Sequence, residues 1–379
     1  MIGKRGKLAR VIYMTNIGTI PEESFVSVVA AGRGAEDAGQ RIGVIDEGFL
    51  ERLKKGDVFV LGGNKYQFLY SKGMNAYVAT SVMKAPTIPS WFSEMLPLSF
   101  DLAVAIQGFR KLMAEKFESG KDKKEIVSFV SDYLYVDKTT AEAIYSYFYE
   151  QYRFSKIPGS SRLLVEHWKD TFKNYAVFHT LYGRRVNDAL SRALAYAVGR
   201  YGGRDIELGI NDNGFFLAST EKMNIERALK ELNSSNISEI LEEAVSKTEI
   251  FKRRFRHCAA RSLMILRNYK GRTKSVGKQQ VGSHFLLAAA QKASSDFPVL
   301  RETKREIMED LMDINNTKKV LDWIKDGKLK IENTNKDFPS PFSFGLITQG
   351  HADLLKIEDK MAFLRRMHKE VLKRIGEEQ

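Results

Sequence analysis

The sequence predicts an α+β protein that begins with a small antiparallel β-barrel-like module and ends in a helical region. Three observations predict this class. Short runs rich in Val, Ile, Tyr and Phe alternate with turn residues up to about residue 82, as in antiparallel barrels. Apolar residues recur at three- and four-residue steps from about residue 99 onward, which indicates helices. Two strand-like runs flank an Asn-Gly pair at 213–214, which indicates a hairpin.

These patterns divide the chain into four consecutive modules. Residues 1–97 hold the short strands and a loop whose prolines resist both helix and strand. Residues 98–156 are helical. Residues 157–223 have the order strand, strand, helix, strand, strand, and the Asn-Gly pair supplies the positive φ of a tight turn between the last two strands. Residues 224–379 form a basic helical region, with a short strand predicted at 329–333.

The composition is that of a soluble globular protein with two or three domains. Its 379 residues include 60 Lys and Arg against 47 Asp and Glu, and this surplus favours nucleic acid over a membrane surface as the partner. No apolar run approaches the roughly 20 residues of a membrane span, and the basic start lacks the apolar part of a signal peptide. The single cysteine, Cys258, excludes an internal disulfide, so we expect a cytoplasmic protein.

Most of the surplus charge lies in residues 251–292, which we call the acid-free tract because it contains eleven Lys and Arg and no Asp or Glu. Residues 251–269 predict a helix with one apolar side, and the segment from Gly271 predicts a basic loop. Cations on a helix and an adjoining loop reach several phosphates of one strand and displace condensed counterions. The predicted phosphate contacts of the tract are Arg253, Arg256, Arg272, Lys274 and Lys278.

The arginines of the tract have a second possible role, which is pairing with the acidic helix predicted at 301–313. Glu302, Glu306 and Asp310 lie at four-residue steps on one face of that helix. We expect both roles, with some arginines as internal ties and the loop cations free. No His or Asn on that face completes a metal-ligand set with the three acids, so we predict no metal site.

The sequence shows no catalytic motif. Gly271 and Gly277 enclose five residues where a phosphate loop has four, and Gln279 follows Lys278 where that loop has Ser or Thr. The six histidines show no zinc-binding spacing, and His179 has no serine motif beside it for a nucleophile. We therefore predict no catalytic residue and no cofactor on this chain.

Two further positions favour nucleic acid. Trp91 lies in the proline-rich loop, where its indole either anchors the loop on the barrel or stacks on a base, since every base offers a π-face. Arg184 and Arg185 precede a helix N-terminus, whose dipole disfavours cations, so a bound anion would offset them. We include all three residues among the predicted nucleic-acid contacts.

Long segments of the sequence resemble, in their order, one family. They include NIGTIPEESF, IGVIDEGFLERLKKGDVFVLGG, PTIPSWFSEMLPLSFDLAVAIQGFR, YGRRVNDALSRALAY, RFRHCAARSLMILRNYKG and PSPFSFGLI. From about Leu8 to its C-terminus the chain is similar to the large helicase-related (Lhr-type) proteins of helicase superfamily two. The resemblance covers their C-terminal region, which follows two RecA-like motor domains and a winged helix.

This resemblance implies a region that closes over the strand leaving the motor. The chain lacks the phosphate loop, the acidic helicase box and the arginine fingers, so ATP and Mg²⁺ are implied only for motor domains in cis or on a separate subunit. The expected partner is single-stranded or tailed DNA or RNA, and we expect no membrane partner. Two alternatives stay open, namely a metal-dependent nuclease that uses Glu302, Glu306 and Asp310, and a purely structural scaffold.

Overall fold

A computed structural model provides the structure of the chain. It describes residues 6–17, 25–31, 39–46, 49–50, 53, 55–62, 64–72, 75–80, 96–200, 206–246, 248–266, 268–269, 272–273, 276–350 and 357–376. The described strands are β1 (Phe25–Ala30), β2 (Arg41–Asp46), β3 (Val58–Leu61), β4 (Asn64–Lys72), β5 (Asn75–Ala79), β6 (Arg162–Lys169), β7 (Asn174–Phe178), β8 (Glu207–Asn211), β9 (Gly214–Ser219), β10 (Asn268–Tyr269), β11 (Arg272–Thr273) and β12 (Lys330–Asn335).

The described helices confirm the predicted α+β class. They are α1 (Gly6–Asn16), α2 (Phe100–Glu118), α3 (Lys123–Leu134), α4 (Lys138–Phe154), α5 (Arg184–Arg200), α6 (Ile225–Glu231), α7 (Ile237–Val245), α8 (Glu249–Arg261), α9 (Val276–Ala293), α10 (Pro298–Arg305), α11 (Ile314–Lys325), α12 (Phe344–Gly350) and α13 (Ile357–Ile375). A search of the described residues for a helix with the length and apolar content of a membrane span finds none.

The chain folds as two compact units, each built from two separated segments. Unit 1 contains Met1–Glu94 and Val245–Asp310, and unit 2 contains Met95–Ala244 and Leu311–Gln379. This organisation differs from the four consecutive modules that we expected, because late segments of the chain return to complete structures begun by early ones.

The N-terminal sheet of unit 1 has the strand order β2-β1-β5-β4-β3. Its neighbouring strands are antiparallel, as predicted, except that β1 and β5 are parallel. This parallel pair is the place where the β1–β2 pair meets the β3–β4–β5 meander. Burial alternates along β4 and β5 with the period of two that a half-buried sheet requires, and Phe59 lies at the centre of the buried face.

Three helices at the start of unit 2 form an aromatic core. Ser99, Asp122 and Asp137 cap α2, α3 and α4, because each side chain accepts a hydrogen bond from a backbone N–H in the first turn. The buried faces meet around Phe109, Met113, Phe117, Ile126, Val130, Tyr145 and Phe148. The helical segment that the sequence predicted between the barrel-like module and the strand-strand-helix-strand-strand module is therefore confirmed.

The sheet of unit 2 has the order β12-β6-β7-β9-β8. It contains the predicted strand-strand-helix-strand-strand module, in which α5 spans Arg184–Arg200 between β7 and β8. The strand predicted at 329–333 is confirmed as β12, and it pairs in parallel with β6 from Lys330 opposite Arg162 to Asn335 opposite His167. This pairing joins residues far apart in the sequence and explains why the units do not follow the predicted consecutive boundaries.

The predicted β8–β9 hairpin is present, but its turn lies one residue earlier than the Asn-Gly pair suggested. Asn211 pairs with Gly214, so Asp212 and Asn213 form the turn, and neither has a positive φ. The glycine is required for a different reason. A Cβ atom at Gly214 would lie 2.1 Å from the carbonyl oxygen of Phe178 on the adjacent strand.

Candidate nucleic-acid interface

The acid-free tract of unit 1 forms a helix, a short hairpin and a second helix. Helix α8 ends at Arg261, earlier than the predicted end near Tyr269, because Ser262 caps it and Leu263 adopts a left-handed φ of 59°. The chain then forms the β10–β11 hairpin and continues as α9. Two residues of the predicted basic loop thus lie in regular elements, Arg272 in β11 and Lys278 in α9.

Hydrogen bonds from α1 hold the start of this hairpin. The Asn16 side chain donates to the Asn268 carbonyl oxygen at 2.9 Å and accepts from the Asn268 N–H at 2.9 Å. The Asn268 side chain donates in turn to the Thr15 carbonyl oxygen at 3.0 Å. Sequence reasoning missed this reciprocal pairing, because no local pattern connects residues about 250 positions apart.

The apolar side of α8 is confirmed, but one of the predicted phosphate contacts lies inside the unit. Phe251, Phe255 and Cys258 are buried, as the helical period predicted. Arg256 is also buried, with 7% of its surface exposed, whereas a phosphate contact requires an accessible guanidinium. We therefore remove Arg256 from the predicted interface. Arg253 is exposed on the same helix and makes no hydrogen bond or ion pair with the residues described.

Two arginines of α8 bind one buried carboxylate, as the alternative of internal ties predicted. Arg254 donates to Glu306 Oε2 at 3.3 Å, and Arg261 donates to Glu306 Oε1. Glu306 retains 2% exposure, so its charge requires such partners. Burial lowers the pKa of Arg254, and the cations of Arg253 and Arg261 act in the same direction.

Three other acids of the segment predicted as an acidic helix at 301–313 surround Arg305. The Arg305 guanidinium donates to Glu302 at 2.8 Å, to Glu309 at 3.1 Å and to Asp310 at 3.4 Å. These hydrogen bonds raise the pKa of Arg305, and the bonds from Arg305 lower the pKa of Glu302. Glu302, Glu306 and Asp310, the acids considered as nuclease ligands, therefore bind arginine side chains. No group of three potential metal ligands occurs among the described residues.

Exposed aromatic rings accompany the cations of the tract. Phe285 on α9 is 75% exposed and Tyr269 on β10 is 42% exposed. Sequence reasoning missed Phe285, which lies in the apolar run 285–290. Trp91 and Lys274 lie outside the described residues, as do the side chains of Arg272 and Lys278.

The paired arginines at the start of α5 belong to unit 2. Arg184 is exposed, and Arg185 is partly buried. The Asp212 carboxylate accepts hydrogen bonds from the N–H of Arg184 at 2.8 Å and the N–H of Leu98 at 3.0 Å. The protein therefore places its own carboxylate at this helix N-terminus, where we had expected a bound anion.

In the structure a serine lies beside His179, although the sequence showed no serine motif near this histidine. Ser343 Oγ lies 3.3 Å from His179 Nε2 and donates to Glu166 Oε2 at 2.7 Å. Glu166 Oε2 contacts the same imidazole nitrogen at 3.3 Å, whereas a catalytic triad uses both ring nitrogens in series. All three side chains are buried, so this cluster is a buried polar network and we assign it no catalytic role.

Two family models match the chain. The model described as DEAD/H associated matches residues 157–343, and the model described as large helicase-related protein, winged helix domain, matches residues 3–88. The second match corrects one boundary, because we had expected the whole chain to follow the winged helix of this family.

Relatives match along nearly the whole chain. The ATP-dependent helicase Lhr-Core of Methanothermobacter thermautotrophicus is 50% identical over 98% of this chain and 42% of its own length. The Lhr-Core protein 2 of Thermococcus barophilus is 43% identical over 99% of this chain and 42% of its own length. The chain thus spans less than half the length of these relatives.

One solved structure shares the fold. The structure of Mycobacterium smegmatis helicase Lhr bound to ssDNA and AMP-PNP matches 70% of this chain and 33% of its own, with a TM-score of 0.59 and 22% identity. Taken with the two family models and the relatives, this similarity confirms the resemblance read from the sequence. The chain belongs to the Lhr-type helicases, and it represents their C-terminal region.

Proposed function

We propose that this chain is the nucleic-acid-binding part of an Lhr-type ATP-dependent helicase, and that its acid-free tract holds a single strand by the phosphates. One observation supports this most directly. The buried Glu306 carboxylate binds Arg254 and Arg261, whereas Arg253 on the same helix is exposed and has no ion pair among the described residues. Internal ties and outward cations are thus separated on one helix.

The physical reason is the chemistry of the strand. A nucleic-acid backbone presents regularly spaced anions, and cations that neutralise them release condensed counterions. Exposed rings such as Phe285 offer flat surfaces on which bases stack irrespective of sequence. The Mycobacterium smegmatis relative was solved with ssDNA, and this supports a single strand as the partner.

RecA-like motor domains, in cis or on a separate subunit, would supply ATP hydrolysis with Mg²⁺. This chain would grip the strand while the motor resets. Within that proposal Trp91 stacks on a base and acts as a ratchet tooth, and Arg272, Lys274 and Lys278 are further phosphate contacts of the tract. Arg184 and Arg185 are a separate proposed contact in unit 2. The geometry does not favour the nuclease alternative, because Glu306 is buried and held by two arginines.

The test is a salt titration of strand binding. Fluorescence anisotropy would follow labelled DNA and RNA strands of one sequence on the full chain. If six to ten phosphates are contacted, affinity falls about a thousandfold or more between 50 and 200 mM salt. A response without salt dependence would overturn the proposal and favour the scaffold.

A pair of variants locates the contact. Arg253→Ala removes an exposed arginine without an ion pair among the described residues, and we expect the slope of log affinity against log salt to decrease by about 0.7. Arg301→Ala is the control, because Arg301 is 69% exposed in the same unit but lies 3.7 Å from Asp296. Equal slopes in both variants would exclude Arg253 as a phosphate contact.

A further inference from the structure

A polar groove lies in unit 2, and none of its lining residues is among the predicted nucleic-acid contacts. Two adjoining cavities of about 320 and 810 Å³ share His167, Lys222, Met223, Ile225 and Asn335 as lining residues. We call them together the β6–β12 groove, because His167 on β6 and Asn335 on β12 are paired neighbours in the sheet.

An ordered indole forms one wall of this groove. Trp168 stacks on Tyr175 with 4.2 Å between ring centroids and 6° between ring planes. Tyr175 is itself buried, and its hydroxyl donates to Asp170 at 3.0 Å. The tyrosine therefore holds the indole in a fixed plane, and Trp168 remains only partly buried. A fixed aromatic plane is a surface on which a second flat ring stacks at low entropic cost.

The indole N–H lacks an acceptor. Trp168 Nε1 is buried and makes no hydrogen bond with any residue that the structure describes. A buried donor without a partner destabilises the folded protein, so such donors normally have a partner, either a protein group, water or a ligand. Because less than 1 Å² of this nitrogen is accessible, Trp168 offers the groove its ring face and not its N–H.

The charge of the groove is strongly one-sided. Among the described lining residues Lys169, Lys222, Arg227 and Lys336 are basic and Glu226 is acidic, while Asp170 and Glu207 lie behind the lining on the side of Tyr175. Lys336 is held by the carbonyl oxygen of Phe154 at 2.7 Å, and it contributes to the positive potential from that fixed position. Lys169 is exposed and makes no ion pair among the residues described. An anion in the groove would therefore meet favourable charge.

Amide groups provide the remaining recognition elements. Asn333 Oδ1 accepts a hydrogen bond from His167 Nε2 at 3.0 Å, so these two side chains fix each other. Asn335 is exposed beside them, and its side-chain amide makes no hydrogen bond within the described part of the chain. A primary amide presents a donor and an acceptor side by side, which matches the edge of a nucleobase.

We propose that the β6–β12 groove binds a nucleotide, with its base on Trp168, its base edge at Asn335 and its phosphate at Lys169. An acidic peptide would satisfy the cations but would leave the flat indole face and the amide unused. The ligand is either a free mononucleotide or one nucleotide of a single strand. This site goes beyond the proposed function and does not depend on the acid-free tract.

Photocrosslinking with peptide mapping tests the proposal. The full chain would be irradiated with 5-iodouridine monophosphate in one arm and with a short single strand containing 5-iodouridine in the other. We expect an adduct on Trp168 that excess unlabelled ligand competes away. An adduct in the mononucleotide arm identifies a free nucleotide, and an adduct in the strand arm alone identifies a strand.

Variants and their controls keep the test specific. Asn335→Ala should lower the apparent affinity for the iodinated nucleotide, taken from the adduct yield, about three- to tenfold, as expected for one lost hydrogen bond. Lys169→Ala should also weaken it, whereas Lys138→Ala, which changes an 83% exposed lysine elsewhere in unit 2, should not. Both groove variants alter exposed side chains, so folding is preserved.

The outcomes separate this inference from the proposed function. Adducts confined to residues 251–292, or no adduct at Trp168 in either arm, would overturn the proposal that the β6–β12 groove binds a nucleotide. An adduct at Trp168 with none in the acid-free tract would support the groove while arguing against strand capture by the tract.

Discussion

Arg254 donates from Nη1 to Oε2 of Glu306 across 3.3 Å, and this contact joins helix α8 to the π-helix Glu306–Leu311 that follows α10. Arg261 donates to the other carboxylate oxygen. One buried acid thus binds two arginines of a tract that has no acid of its own, and it balances the charge of one of them. The acid-free tract is therefore folded against a counterion from outside it, and only part of its positive charge faces solvent.

Removing this counterion should destabilise unit 1. Glu306→Ala leaves Arg254 and Arg261 partly buried without their carboxylate, and we expect the free energy of unfolding to fall by about 2–4 kcal/mol. Denaturant unfolding would measure it. Glu309→Ala is the control, because Glu309 is half exposed and its loss should cost less than about 1 kcal/mol.

The same variant addresses the nuclease alternative. Labelled strands incubated with Mg²⁺ or Mn²⁺ and without ATP should remain intact with the unaltered chain. If they are cleaved, and if folded Glu306→Ala protein loses that cleavage, Glu306 is a ligand or base and the structural role assigned to it is wrong.

The stability of unit 2 should depend on acidic pH through Glu166. Burial raises the pKa of Glu166, but the charge of His179 and hydrogen bonds from His179 and Ser343 lower it by more. The resulting pKa is about 2, against an ordinary value of 4.5. The folded pKa is thus below the unfolded one, so the stabilisation is present above pH 4.5 and is lost as pH falls toward 2. We expect a loss of about 2 kcal/mol between pH 5 and 3.

Denaturant unfolding at several pH values checks this dependence. Glu166→Gln cannot ionise, so its unfolding free energy should vary less over the same range, whatever its absolute stability. Parallel pH profiles for the two proteins would show that Glu166 does not carry the effect.

Trp91 lies outside the described residues, and its role stays a prediction. Trp91→Ala should weaken strand binding by about 1–3 kcal/mol, because base stacking on an aromatic ring contributes that much. Trp91→Phe retains a ring and should lose less. A lowered melting temperature in Trp91→Ala, without a specific loss of binding, would instead identify the indole as an anchor of the loop.

Gly214 tests the packing of the β8–β9 hairpin. A methyl group there would lie 2.1 Å from the backbone oxygen of Phe178, so Gly214→Ala should destabilise unit 2 by about 2 kcal/mol or more. Gly108→Ala is the control, because Gly108 lies within α2 with nothing near its added methyl group. We expect that control to be neutral or to stabilise by up to about 1 kcal/mol. If Gly214→Ala leaves the unfolding free energy as little changed as the control does, the contact at Gly214 relaxes without cost.

The local elements were predictable because they depend on patterns between residues close in sequence. The periods of two and 3.6 located β6, β7, α5, β8 and β9, and the charge pattern located the acid-free tract. The likeness to the Lhr-type family was visible for the same reason, since long segments keep their order.

The partners of side chains were not predictable, because they come from segments distant in sequence. The sequence alone determined that Arg253 and Arg256 share a basic helix, but only the packing decided that Arg256 is buried and Arg253 exposed. Likewise, β12 reaches β6 across more than 160 residues and brings Asn335 beside His167. Local periodicity determines which residues share a face of an element, whereas the tertiary structure decides what each face meets.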